Sequence, residues 1–243
     1  MHLFQEPGYT RFDLRFNVAG IPVRVHPLFW LMALFFGGIS GNPLILLAWI
    51  PIVFISILVH ELGHAFTMRF FGQPARVTLY LGGGLATPDS WGFGSALTAN
   101  EQIIVLLAGP GAGFLFAGLT LGTVAALGGS IGFGLLYGFL PFPTVALPLS
   151  ISFLSLVIGI ILWVNIFWGF INLVPTYPLD GGQVARLLWL KFDRWDGVRK
   201  SLWLSVGTGA VMAFVGIFIM GNMYTAVLFG LLAFQSYQML QMR

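Results

Sequence analysis

Apolar runs separated by short polar or glycine-rich breaks dominate the chain. The runs are long and show no period-two alternation, so they read as membrane helices rather than barrel strands. Pro27 to Gly38 is short for a crossing, and reaches span length by tilting or by borrowing Ile21 to Val25. Pro43 to about Phe71 is the second helix, Ala99 to about Leu127 the third and Ile151 to Leu173 the fourth. Leu202 to Met220 and Met223 to about Met239 are the last two spans. The polar segment 1–26 holds a short strand around Leu14 to Val18. Val77 to Leu81 also reads as a strand, followed by Gly82-Gly83-Gly84 and a turn at Pro88-Asp89-Ser90. Residues 128–149 are apolar but broken by Pro141, Pro143 and Pro148, so a loop or re-entrant segment is expected, not a further span. Residues 183–198 read as an interfacial amphipathic helix, with Val184, Leu187, Leu188 and Trp195 on one side and Arg186, Lys191 and Arg194 elsewhere. The expected fold is an all-α polytopic membrane protein of about six transmembrane helices. A small membrane-associated β-hairpin lies between the second and third.

Composition agrees. The chain is 58% hydrophobic and 8% charged, against about a quarter charged in soluble domains. It has no cysteine, which excludes disulfides, thiolate ligands and a cysteine nucleophile. The first 25 residues carry Arg11, Arg15 and Arg24 but no apolar core, so no cleaved signal peptide is expected. The net charge of +3 reads as membrane orientation, not nucleic-acid binding. Arg11, Arg15 and Arg24 precede the first span, and Arg69 and Arg76 follow the second. Arg186, Lys191, Arg194, Arg199 and Lys200 follow the fourth, and Arg243 ends the chain. Six spans with both termini cytoplasmic place every Lys and Arg inside.

Within the second span stands His60-Glu61-Leu62-Gly63-His64. Ionisable residues at membrane depth are expensive and mark function by default. The spacing sets both imidazoles on one helix face, one turn apart, for a metal. A catalytic zinc takes three protein ligands and keeps one position open. Of the four histidines, His2 lies in the tail, His26 caps the start of the first span, and none follows His64. The third ligand is therefore expected to be a carboxylate. Asp180 follows the fourth span directly, in Asn172-Leu173-Val174-Pro175-Thr176-Tyr177-Pro178-Leu179-Asp180-Gly181-Gly182. His60 lies 17 residues past Pro43, roughly 25 Å along a helix, so both segments reach the cytoplasmic half of the bilayer. Two histidines and one carboxylate suit one Zn²⁺ per chain. Zinc lowers the pKa of its water to about 7, from about 15.7 in bulk. Glu61 is then the general base, delivering the proton to the leaving amine. Asn172 either binds the oxyanion or substrate backbone, or satisfies backbone freed by Pro175. Gly109 and Gly113, then Gly118 and Gly122, give small-xxx-small spacing for close helix contact.

HELGH in a membrane helix, followed by NLVPTYPLDGG at the end of a later one, resembles the site-2 protease family of intramembrane zinc metalloproteases. The resemblance runs from Val25-His26-Pro27 to Gly182, through Leu79 to Ala86 and Leu107-Ala108-Gly109-Pro110. It implies a core of membrane helices and hydrolysis of a peptide bond in or near the transmembrane segment of another protein. By resemblance the zinc ligands are His60, His64 and Asp180, the base is Glu61, and Asn172 is a substrate-positioning amide. Ala112 and Gly113 stand where many members have an asparagine. Nothing resembles an inserted PDZ domain or a C-terminal CBS pair, which implies a minimal form. Residues 1–243 then form one membrane-embedded metalloprotease domain: a tail over 1–26, a catalytic core over 27–182, and the interfacial helix with the last spans over 183–243. The implied partners are the lipid bilayer and a membrane-anchored, single-span protein substrate, in a bacterial or archaeal cell membrane.

Other readings are weaker. Gly82 to Gly84 is either a plain turn or part of a strand edge that pairs with extended substrate near Leu79 to Leu81. Gly38-Ile39-Ser40-Gly41 resembles a rhomboid serine motif, but no later helix supplies a histidine for a dyad. A catalytically inactive metal-binding scaffold or metal carrier is the rival function. No motif residue is missing, and the first, fifth and sixth spans carry no acidic or histidine residue for an ion path.

Overall fold

Ile21, Val23 and Val25 are buried and alternate with Pro22 and Arg24. That is the period of a strand with one face in a core, and Ile21–Val25 forms β2 instead of lengthening the first helix. It pairs antiparallel with β1 (Leu14–Val18) and parallel with β3 (Ala75–Tyr80). Tyr80 pairs with Gly83, so the chain reverses at Leu81-Gly82 and β4 runs Gly83–Pro88. The expected hairpin is thus half of a four-stranded sheet in the order β1-β2-β3-β4. Its turn falls several residues before Pro88.

The structure is a computed structural model that describes residues 6–38, 41–89, 96–148 and 152–242. His2, Ser40, Ser90 and Arg243 lie outside the described residues. The helices are α1 (Pro27–Gly38), α2 (Pro43–Phe70), α3 (Ala99–Ala126) and α4 (Ser152–Leu162). A π-turn over Trp163–Phe167 leads into α5 (Trp168–Leu173), followed by α6 (Asp180–Phe192), α7 (Gly197–Phe218) and α8 (Met223–Gln241). The fold is mostly helical. Among the described residues, four helices are long and apolar enough to cross a membrane: Pro43–Phe70, Ala99–Ala126, Phe153–Leu173 and Gly197–Phe218. Residues 128–148 contain no helix; β5 (Ser130–Leu136) and β6 (Leu140–Ala146) pair as a two-stranded sheet. With two strands each has a free edge, so Pro141 and Pro143 need no ladder donor there.

The chain divides into two compact units, residues 1–134 with 143–169, and residues 135–142 with 170–243. In the first, α2 carries one face of the sheet: Val23, Val25, Val77 and Leu79 pack with Phe29, Val53, Leu62 and Ala65. Asn42 caps α2 by accepting from Leu44 N. His26 Nδ1 accepts from Leu28 N at 3.2 Å, the cap expected at the start of the first apolar helix. On the sheet's other face Arg24 is buried and donates to Glu6 at 3.2 Å and Asp13 at 3.4 Å. Glu6 also accepts from Arg76 and Thr78, so one carboxylate ties the N-terminal segment to two strands. Removing one partner of a buried ion pair strands the other. Arg24→Ala should therefore lower stability by about 3 kcal/mol, near the low end for such pairs because Glu6 keeps two donors. Equilibrium unfolding measures this, and hydrogen exchange should rise across residues 6–13.

In the second unit, α7 and α8 are antiparallel and in close contact. A Cβ at Gly209 would lie 2.9 Å from Ala233 Cβ, and one at Gly216 would lie 2.7 Å from Ala226 N. Ser205 and Thr208 of α7 hold the segment before α6. Tyr177 N donates to Ser205 Oγ at 3.0 Å, and Thr208 Oγ1 donates to the Pro175 carbonyl at 3.0 Å. The amphipathic helix begins at Asp180 rather than near 183.

Candidate metal centre

The apolar sequence of α2 makes it a membrane-length helix, and its last third carries the ionisable cluster. His60 and His64 sit one turn apart with ring centroids 4.9 Å apart. Their Nε2 atoms are 3.2 Å apart. Two nitrogens each about 2.05 Å from one ion, at a tetrahedral angle, are separated by about 3.3 Å. His64 Nδ1 lies 2.7 Å from the Val105 carbonyl oxygen of α3. A carbonyl only accepts, so Nδ1 carries the proton and Nε2 keeps its lone pair for a ligand bond. The donor geometry therefore fits a metal.

Helix α3 shapes this face with small residues. A Cβ at Gly109 would overlap the His64 ring and press on His60 Nε2. A Cβ at Gly63 would collide with the Ala108 carbonyl, so the glycine inside the motif sets how closely α2 approaches α3. Gly118 and Gly122 meet nothing within 4 Å. Among the described residues the second small-xxx-small pair is therefore not a helix contact.

Glu61 points elsewhere on α2. It is 6% exposed, and a Cβ at Gly84 of β4 would collide with its carboxyl group. The Tyr80 hydroxyl, at the end of β3, is held above its usual pKa by burial first and then by the nearby charges of Glu61 and Glu6.

In the second unit Asp180 opens α6. A carboxylate in the first turn is favoured by the unpaired N–H groups and dipole of the helix. The two glycines after it are steric necessities. A Cβ at Gly181 would overlap the Leu173 carbonyl, and one at Gly182 would overlap the backbone of Thr176 and Tyr177. The Tyr177–Pro178 peptide bond is cis. Asn172 is half-buried in α5. His60 and His64 of the first unit and Asp180 of the second are each described, and each is of a side-chain type that ligates zinc.

Sequence reading missed Asn165, which is buried and donates to Ser56 Oγ at 2.9 Å. The available signal was an amide in the middle of an apolar span. It also missed why Gly84 and Gly109 are glycines, because both reasons lie in distant segments.

A model of peptidase family M50 matches residues 48–220. A zinc metalloprotease of Methanocaldococcus jannaschii is 26% identical over 204 residues, covering 82% of this chain and 51% of that protein. This chain spans about half the length of the curated relatives it matches. A site-2 protease structure from Methanocaldococcus jannaschii shares the fold, with a TM-score of 0.58 at 20% identity, covering 94% of this chain and 95% of that one. The matched segment contains both HELGH and NLVPTYPLDGG, and the chain belongs to peptidase family M50, the family of site-2 proteases.

Proposed function

We propose that this chain is an intramembrane zinc endopeptidase that hydrolyses a peptide bond in or near the transmembrane segment of a membrane-anchored protein. The observation that carries the reading is the pair of Nε2 atoms 3.2 Å apart, with His64 fixed by Val105. In this reading His60, His64 and Asp180 hold one Zn²⁺, and Glu61 takes a proton from the attacking water and passes it to the leaving amine. Asn172 positions the substrate or its oxyanion. Residues 1–243 act as one membrane-embedded domain with six crossings and both termini cytoplasmic. The centre then lies in the cytoplasmic half of the bilayer, consistent with where Lys and Arg fall.

A peptide bond inside a helix is shielded, so the substrate must unwind. β3 is flanked by β2 and β4, which leaves no free edge near Leu79 to Leu81. Among the described residues β4 is an edge strand, and its Gly84 lies against Glu61. An extended segment added to that edge would run past the base.

The test is cleavage of a single-span substrate by the purified chain in bilayers. Removing metal with a chelator should reduce cleavage to background, and zinc should restore it. Stoichiometric zinc uptake with no cleavage of any single-span substrate would favour the scaffold or carrier.

A further inference from the structure

Asn165 lies in the π-turn Trp163–Phe167 and is 4% exposed. Its Nδ2 donates to Ser56 Oγ at 2.9 Å and to the Ile161 carbonyl at 2.8 Å. Both amide hydrogens are thereby used. Among the described residues no donor reaches Oδ1. Oδ1 is not one of the fully enclosed side-chain atoms that lack a partner, so it faces accessible space and can accept a hydrogen bond from a group that enters there.

Two helices report where that oxygen lies. A Cβ at Gly113 would sit 3.6 Å from Asn165 Oδ1. Gly113 is one turn along α3 from Gly109, which faces both imidazoles. Ser56, which holds the amide, is one turn along α2 from His60. Asn165 therefore sits about one helical step, roughly 6 Å, from the layer of imidazole donors. Glycine at 113 leaves Oδ1 uncovered on that side. Burial does not separate the residue from the reaction. Glu61 and His64 are each 6% exposed, so a substrate that reaches them must part the same helices.

We propose that Asn165 is a substrate-positioning residue whose Oδ1 accepts one backbone N–H of the unwound substrate segment. The proposal rests on the peptidase reading. A peptide unwound away from water carries N–H groups with no partner. A step of roughly 6 Å is about two residues of extended chain. The N–H in question thus belongs to a residue about two positions from the scissile bond.

The probe is a synthetic single-span peptide with its cleavage site mapped, together with copies N-methylated at one residue at a time. The full zinc-loaded chain in bilayers is assayed for kcat/KM and for peptide affinity. With the wild-type chain, methylation at one position about two residues from the scissile bond should lower kcat/KM about tenfold, the scale of one lost hydrogen bond. Asn165→Ala should lose about tenfold on the unmethylated peptide and nothing further at that position, while the other positions respond as in wild type. Ser56→Ala should keep the methylation response. A purely structural role would give losses that multiply at every position, and that result overturns the proposal, as does unchanged kcat/KM in Asn165→Ala. Zinc content and thermal unfolding report whether Asn165→Ala folds. If it does not, Asn165→Asp keeps the shape and the acceptor oxygen and must keep the methylation response; its disappearance overturns the proposal. If the wild-type chain binds the peptide without cleaving it, the peptidase reading falls and affinity decides the same cycle. If it neither binds nor cleaves, both fall.

Discussion

Glu61→Gln should lower peptide-bond hydrolysis by about 10²- to 10⁴-fold, the usual contribution of a positioned general base, while the chain keeps its zinc. Glutamine preserves the length and planarity of the side chain. That matters because Glu61 is buried against Gly84 on an edge strand. Truncation to alanine would open a gap there and mix packing loss with chemical loss. The metal should stay because the proposed ligands are His60, His64 and Asp180, and Glu61 is not one of them. Cleavage of a single-span substrate under single-turnover conditions, with zinc measured on the same sample, separates the two effects. Near-normal turnover would refute the assigned base. Loss of zinc together with activity would mean that Glu61 serves the donor group instead. A binding scaffold or carrier predicts no turnover in either form.

The pairing of His60 and His64 on one helix face was legible because ionisable residues inside an apolar run have few bland explanations. The starts of α2 and α3 were legible too, since the apolar runs begin at Pro43 and Ala99, where the helices begin. The sheet was not. Its central pairing is parallel and joins Val23 to Val77 across two helices, and no local pattern announces a partner so distant in sequence. Ile21 to Val25 looked like spare helix because a short apolar run beside Pro27 has the same composition in either state. Gly83 and Gly84 looked like a turn, yet both are ladder positions opposite Tyr80 and Leu79. Gly84 is small because Glu61 lies against it, not because the chain bends there. Asn165 was passed over for the opposite reason, since no local motif surrounds it. The amide that drew notice, Asn172, stood beside prolines and Asp180.

The glycines of α3 give the second large effect. Gly109 and Gly113 have the same spacing as Gly118 and Gly122, so sequence alone treats the pairs alike. Space does not. The first pair faces the imidazoles and Asn165, whereas the second meets nothing within 4 Å. Gly109→Val should therefore displace both histidine rings and weaken zinc binding by at least about 100-fold, beyond the 10- to 100-fold typical of lost orienting contacts. Cleavage should fall to background. Overpacking should also cost about 1–3 kcal/mol of stability. Gly118→Val adds the same branched side chain to the same helix in open space, so it should retain zinc and lie within about twofold of wild-type activity. Metal analysis after dialysis against a zinc buffer, followed by unfolding and cleavage assays, compares the two. Full zinc content in Gly109→Val would mean that the imidazoles do not meet on this face of α3, and the donor geometry on which the peptidase reading stands would fail with it.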